Sequence, residues 1–222
     1  MLLIATNIHK NFNQLAVLQG IDLQINEGEI TAIIGASGAG KSTLLHILGT
    51  LDKPDKGTVV MQGIDLGSLN NDKLAAFRNQ HIGFVFQFHN LLPEFTAFEN
   101  ICLPAFIKTG NINKNKAAIE KRADQLLELL NMTARKTHKP SELSGGEQQR
   151  ISVARALINE PTIIFADEPS GNLDAKHADE LHKLFFQLRK DFKQTFVIVT
   201  HNQQLASMAD RTVLLEQGKV AM

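Results

Sequence analysis

Gly35-Ala36-Ser37-Gly38-Ala39-Gly40-Lys41-Ser42-Thr43 decides the reading of this chain. It lies between an apolar run, Ile30-Thr31-Ala32-Ile33-Ile34, and a helix-forming stretch, Leu44-Leu45-His46-Ile47-Leu48. Strand, glycine-rich turn and helix, in that order, are the context of a phosphate-binding loop of pattern G-x-x-x-x-G-K-[ST]. The glycines let successive backbone N–H groups turn inward toward phosphate oxygens, and Lys41 adds a full positive charge. The Ser42 hydroxyl suits a magnesium shell, and the start of the helix contributes its partial positive charge. A plain Gly/Ser turn is the simpler alternative, but every fixed position of the pattern is filled. The loop predicts binding of a nucleoside triphosphate, without saying what the energy does.

Composition narrows the setting. A chain of 222 residues holds one large domain or two small lobes. With 43% hydrophobic and 21% charged residues it has the make-up of an ordinary soluble globular protein. Lys+Arg and Asp+Glu both total 23, so the net charge is zero, and no dense basic run favours nucleic acid. The single Cys102 excludes an internal disulfide or a cysteine metal cluster, fits a reducing cytosol, and reads as a small core residue. No apolar run approaches the roughly 18 residues that span a bilayer. Met1–Asn7 lacks the basic and apolar regions of a signal peptide. Any work at a membrane is therefore expected to pass through another subunit.

Periodicity supplies the elements. Leu2, Ile4, Thr6 and Ile8 alternate with other side chains, as do Ile21, Leu23 and Ile25, which predicts antiparallel strands with one face buried. Thr58–Met61 and Ile82–Phe86 are further strands, the second ending on Gln87. Thr96-Ala97-Phe98-Glu99 forms a capping box that opens a helix through Ile107. From about Lys114 to Leu130, apolar residues at three- and four-residue steps mark an amphipathic helix, with Lys114, Lys116, Glu120 and Lys121 on its solvated face. Thr162–Ala166 and Phe196–Val199 are wholly apolar, as strands buried on both faces are, and Leu181–Leu188 marks a helix between them. Val213–Leu215 is the last strand. Strand–helix alternation predicts an α/β fold with a parallel sheet. Residues 88–158 read as an inserted helical lobe.

Two further motifs carry chemistry. The strand ending in Asp167-Glu168 places one carboxylate where a magnesium shell needs it and a second where a water can be oriented. Either acid alone would also serve as a turn cap. Leu143-Ser144-Gly145-Gly146-Glu147-Gln148-Gln149-Arg150 contains the capping box Ser144-x-x-Glu147, and Gly-Gly leaves the first helical N–H groups open to an anion.

With this second motif the chain resembles the ATP-binding cassette (ABC) family, whose signature is L-S-G-G-[EQ], and the resemblance covers essentially the whole chain. It implies a P-loop NTPase: a RecA-like parallel sheet core with an N-terminal antiparallel β subdomain and an inserted helical subdomain. Within one ABC ATPase domain, 1–222, it assigns 1–87 and 159–222 to the core and 88–158 to the helical part. ATP and Mg2+ are the implied cofactors. Phe12 falls where the family stacks an aromatic on adenine, and Val17 near the ribose. Gly35, Ala36, Ser37, Gly38, Ala39, Gly40, Lys41, Ser42 and Thr43 cradle the phosphates, and Ser42, Gln87 and Asp167 hold the metal. Ser144, Gly145, Gly146 and Glu147 close over ATP held by a second copy in a head-to-tail dimer. Glu168 is the implied general base, His201 the switch histidine, and Gln87 the sensor of the membrane partner. Ser170-Gly171-Asn172-Leu173-Asp174 matches the loop that crosses between subunits, with Asp174 its acidic member.

Phe86-Gln87-Phe88-His89-Asn90-Leu91-Leu92-Pro93-Glu94-Phe95-Thr96-Ala97 resembles the branch of lipoprotein-releasing, macrolide-exporter and cell-division ATPases, and is closest to the first. That resemblance implies a place on the inner face of the cell membrane. The partners would be integral membrane permease subunits docked on the helical part. Phe84, Phe86, Phe88, Phe95, Phe98 and Phe106 would line the docking groove or form the lobe's core; the sequence leaves both open. A DNA-maintenance ATPase is the rival class, and the short, cysteine-poor insertion opposes it.

Overall fold

Strands β1 (Leu3–Phe12) and β2 (Leu15–Ile25) form a bulged antiparallel pair, and β3 (Ile30–Ile34) runs toward α1 (Lys41–Leu48). β4 (Lys56–Met61) and β5 (Ile64–Asp65) precede α2 (Asn71–His81) and β6 (Ile82–Phe86). Helices α3 (Ala97–Thr109), α4 (Lys116–Leu129) and α5 (Gly145–Leu157) follow. The chain closes with β7 (Ile163–Asp167), α6 (Ala175–Phe192), β8 (Thr195–Val199), α7 (Gln203–Met208), β9 (Arg211–Glu216) and β10 (Lys219–Val220). The computed structural model describes residues 1–109 and 115–221, so Lys114, expected on the charged face of α4, lies outside the described residues.

Two sheets result. The six-stranded sheet has the order β10-β9-β3-β8-β7-β6, parallel from β9 to β6, and the four-stranded sheet, β2-β1-β4-β5, is antiparallel. The apolar runs explain why the larger sheet is central. Successive side chains of a strand point to opposite faces. In β7, Ile163 and Phe165 enter one core while Ile164 and Ala166 enter the other. In β8, Val197 and Val199 join the first set, and Phe196 and Ile198 the second. The first core lies under α1 and the antiparallel sheet, and the second lies under α3, α4, α5 and α6. Cys102 belongs to the second core, and burial pushes its thiol pKa up to about 12, so it is inert.

Helix α2 has no counterpart in the sequence reading. Phe77 is its one buried residue, so it carries no apolar stripe; its signal is the cap, Asn70 Oδ1 accepting from Lys73 N at 2.9 Å. Short α7 has the same origin, with Asn202 accepting from Leu205 N.

One buried polar side chain organises the segment before α3. Asn100 is wholly buried, accepts from Leu92 N at 2.8 Å, and donates to the carbonyls of Leu92, Phe95 and Thr96 at 3.0–3.1 Å. Its amide replaces the secondary structure that residues 91–96 lack. Truncation leaves those groups unpaired, so Asn100→Ala should lower unfolding stability by about 2 kcal/mol. Urea denaturation checks this; a midpoint equal to the parent's would remove Asn100 from that role.

Candidate functional site

Four strands of the central sheet deliver their C-terminal ends to one edge. β3 leads to the Gly35–Thr43 loop, β6 to Gln87, β7 to Asp167 and Glu168, and β8 to Thr200 and His201. In the loop, Gly35 and Gly40 have φ of 153° and 98°. An added Cβ would lie 2.1 Å from the Leu215 carbonyl oxygen at Gly35 and 2.9 Å from that of Val17 at Gly40. Both positions therefore require glycine. Val17 is thus packed against Gly40. Lys41 Nζ folds back to donate to the carbonyls of Gly35 and Ala36, each at 3.0 Å.

Ser42 Oγ donates to Asp167 Oδ1 at 2.9 Å, and His46, one turn further along α1, places Nε2 3.8 Å from Asp167 Oδ2. Burial raises the Asp167 pKa, and Glu168 adds to this, against the Ser42 bond and the neighbouring His46 and Lys41. A partly buried carboxylate beside a serine hydroxyl is a donor set that magnesium accepts alongside phosphate oxygens. Glu168 has a left-handed backbone, φ 45°, a conformation a bulky residue keeps only when its surroundings impose it. Its N–H donates to the Val199 carbonyl, its Oε2 accepts from His201 N at 3.3 Å, and the same oxygen lies 2.8 Å from His201 Nδ1 as an ion pair. His201 is 73% exposed on the solvent side of that pair.

The segment after Glu168 is tied at every second residue. Ser170 Oγ lies 3.0 Å from Nε2 of the buried His182. Asn172 and Gln87 exchange two hydrogen bonds, each 3.1 Å. Asp174 caps α6 by accepting from His177 N at 2.9 Å and pairs with His177 Nδ1 at 2.7 Å. Those His177 bonds hold the Asp174 carboxyl below the usual range.

At the start of α5, Ser144 Oγ accepts from Glu147 N at 3.3 Å and Glu147 Oε2 accepts from Ser144 N at 2.8 Å, so the predicted capping box is formed. Arg135 Nε donates to Glu147 Oε1 at 2.7 Å; this bond, with the Ser144 amide, brings the Glu147 pKa down to about 2. Ser144 and Gly145 are exposed, and Gly146 is buried against His177, whose ring would lie 2.9 Å from a Cβ there. Among the described residues no hydrogen bond or ion pair joins Ser144–Glu147 to Gly35–Thr43. Phe12 is 50% exposed at the end of β1, with Lys10 Nζ 5.5 Å from its ring centroid; Lys10 is itself anchored on Asp52 at 2.8 Å.

The phenylalanines divide between the two expected uses. Phe98 and Phe106 pack on the helical core. Phe84 and Phe86 stack at 5.7 Å and line an open groove of about 500 Å³ bounded by α2, β6, α3 and α5. Phe88 and Phe95 are exposed at 73% and 39%. Arg155, on α5, lines the same groove and holds the loop after Gln87 by donating to the carbonyls of His89 and Asn90 at 2.7 and 2.6 Å. His46, Asn172, His177, His182 and Arg155 were not singled out from sequence. Only His46, four residues after Ser42 on one helix, carried a spacing that points at the site.

Comparison with known proteins bears on these geometries. Residues 18–171 match the family described as ABC transporter. The chain is 57% identical over 219 residues to the lipoprotein-releasing system ATP-binding protein LolD of Cytophaga hutchinsonii, covering 99% of this chain and 98% of that protein. It is 54% identical over 213 residues to the protein of the same name from Bacteroides fragilis, covering 96% and 97%. The fold is similar to that of the ATP-binding cassette MJ0796, solved as a dimer in a post-hydrolysis state bound to ADP and Pi. The TM-score is 0.89 at 38% identity, covering 99% of this chain and 97% of that one.

His182 gives the site a pH signature. Burial lowers its pKa below the ordinary histidine value, so the unfolded chain takes up a proton more readily than the folded one. The stability it contributes is present above the unfolded pKa, about 6.5, and is lost as pH falls toward and through the folded value. His182→Gln cannot take that proton. Its melting temperature should fall less steeply than the parent's between about pH 7 and 5. Half-buried His81 and His89, whose pKa values burial also lowers, keep part of the slope. Thermal scans across that range check it, and parallel curves would contradict the assignment.

Proposed function

The chain belongs to the ABC transporter family and is an ATP-hydrolysing cassette, and from that premise we propose that it drives lipoprotein release from the inner membrane through a permease partner. The observation that carries this reading is the 57% identity, along 99% of the chain, to a relative named for lipoprotein release. The resemblance of residues 86–100 to the lipoprotein-releasing branch supports it as well, and two of them, Phe86 and Asn90, line an open groove. No helix among the described residues is long and apolar enough to cross a membrane. In this reading the cassette is peripheral on the inner face, and the permease docks on the helical part, 88–158, at the groove where that part meets α2 and β6.

ATP is placed by Gly35–Thr43, with Phe12 beneath the adenine and Val17 toward the ribose. Lys41 leaves its own carbonyls for the terminal phosphates. Ser42, Asp167 and Gln87 would hold Mg2+, which supplies positive charge against the β- and γ-phosphate oxygens. The His201 backbone N–H and ring both face Glu168 Oε2, which leaves Oε1 to receive the proton of an attacking water. The water oxygen bonds to the γ-phosphorus as the bond to ADP breaks. His201 orients Glu168 and reaches the γ-phosphate. Ser144, Gly145, Gly146 and Glu147 act on the nucleotide of a second copy, and Asp174 reaches the same interface. The exposure of Ser144, Gly145 and Asp174, and the absence among the described residues of bonds from Ser144–Glu147 to this chain's own phosphate loop, support a head-to-tail dimer.

Glu168→Gln should still bind ATP and should accumulate as an ATP-dependent dimer, with turnover reduced by about 10²-fold or more. Phosphate release and size-exclusion chromatography read the two effects; near-normal hydrolysis would remove Glu168 from the role. For the biological role, tagged chain should recover a permease from solubilised membranes, and the pair in vesicles should release lipoprotein only with hydrolysable ATP. Recovery of a cell-division or exporter membrane subunit instead would move the chain to a sister function, and recovery of soluble DNA-processing proteins alone would end the transport reading.

A further inference from the structure

β6 and β7 are neighbours in the parallel sheet and end in one register, with Phe86 opposite Asp167. The segments that leave them, Gln87–Asn90 and Glu168–Asp174, therefore begin side by side. Gln87 Nε2 donates to Asn172 Oδ1, and Asn172 Nδ2 donates to the backbone carbonyl of Gln87, both at 3.1 Å. Elementary donor and acceptor chemistry fixes the two amides. A backbone carbonyl only accepts, so the Asn172 NH2 group must face it and Asn172 Oδ1 is left needing a donor. Gln87 NH2 meets that need and leaves Gln87 Oε1 as the end not engaged with Asn172. Gly171 permits the approach, because a Cβ there would lie 3.0 Å from Gln87 Nε2 and 3.2 Å from its Cδ.

The two joined segments are anchored at different places. On one side, Arg155 holds the His89 and Asn90 carbonyls at the wall of the groove. On the other, Asp174 engages His177, whose ring covers Gly146 at the start of α5. Among the described residues the pair of amides links them: a groove on one face and the exposed start of α5 meet through Gln87 and Asn172.

We propose that Asn172 is a positioning residue that clasps the Gln87 segment to the Ser170–Asp174 loop, so that events at the groove and at the second copy are transmitted to each other. The proposal rests on reading the chain as a permease-coupled cassette that closes on a second copy. Asn172 itself needs to touch neither ATP nor the reacting water. Its contribution lies in making two loops respond as one.

Two substitutions separate the clasp from mere shape. Asn172→Asp has the same size but sets a carboxylate oxygen against the Gln87 carbonyl, acceptor facing acceptor. Asn172→Leu removes both bonds without adding charge. The measurement is hydrogen exchange by mass spectrometry on the isolated chain, with and without ATP and Mg2+, in a Glu168→Gln background that retains nucleotide. In the parent, ATP should slow exchange across 87–90 and 170–174 together. In both Asn172 variants the two segments should respond separately, with 87–90 remaining fast. ATP affinity, followed with a fluorescent analogue, should stay within about twofold, and in the reconstituted complex with Glu168 restored kcat should fall about tenfold with KM little changed. An Asn172→Asp protein that exchanges and turns over like the parent would overturn the proposal, as would loss of ATP affinity in the Leu variant. The exchange result is read on the chain alone, so it stands or falls even if the membrane partner proves not to handle lipoproteins.

Discussion

The register of four parallel strands is the constraint on which everything else depends. Ile33 pairs with Val199, Val199 with Asp167, and Asp167 with Phe86. Thr200 N donates to the Ile33 carbonyl at 3.1 Å and Glu168 N to the Val199 carbonyl at 2.9 Å, so the ladder continues past the strand ends. Ligand sites of open α/β sheets collect outside such carboxyl ends. Here the edge gathers the phosphate loop, Gln87, both carboxylates and His201 from segments spread between residues 35 and 201. The sheet is buried on both faces, which protects that register. A one-residue slip of β7 would send Phe165 into the space of Ile164 and move Asp167 off Ser42.

Within this chain the charged groups of the edge satisfy one another. Lys41 is held by loop carbonyls, Asp167 by Ser42, and Glu168 by His201. Binding of a polyphosphate has to exchange these bonds for new ones. The start of α5 differs. Glu147 is fully engaged by Arg135 and the Ser144 amide, while Ser144 and Gly145 face outward. The exposed remainder is a helix N-terminus with a hydroxyl, fitted to an anion presented by something other than this chain.

The parts of the fold legible in sequence were those with a strong period. Every β-branched, wholly apolar run became a central strand, and the stripe from Ile119 to Leu127 became α4. Helices α2 and α7 escaped because each rests on an asparagine cap and short-range bonds, with little apolar surface to register. The candidate site divides in the same way. Its glycines, Lys41, Ser42, Asp167 and Glu168 occupy fixed spacings whose chemistry is readable, and the resemblance to a family pointed to Gln87, Asp174 and His201. The groups that hold those residues in place were not readable. His182, Asn172, His177 and Arg155 are ordinary polar residues until the sheet and helices bring each one to its partner.

The close approach of α5 and α6 shows how such supporting contacts shape the exposed surface at the starts of the two helices. His177 is bonded to Asp174 at its ring and backbone, and the same ring covers Gly146. One turn of each helix further on, Arg150 NH2 meets Glu180 Oε2 at 2.9 Å. The two helix starts are thus held to each other by a packed ring and an ion pair, so Ser144 and Asp174 occupy one continuous face. A glycine at 146 is the condition for that face, since any larger residue would push the ring and the loop it anchors away from α5. The tight start of α5, which in sequence looked like an opening of N–H groups for an anion, therefore also sets the position of the neighbouring loop.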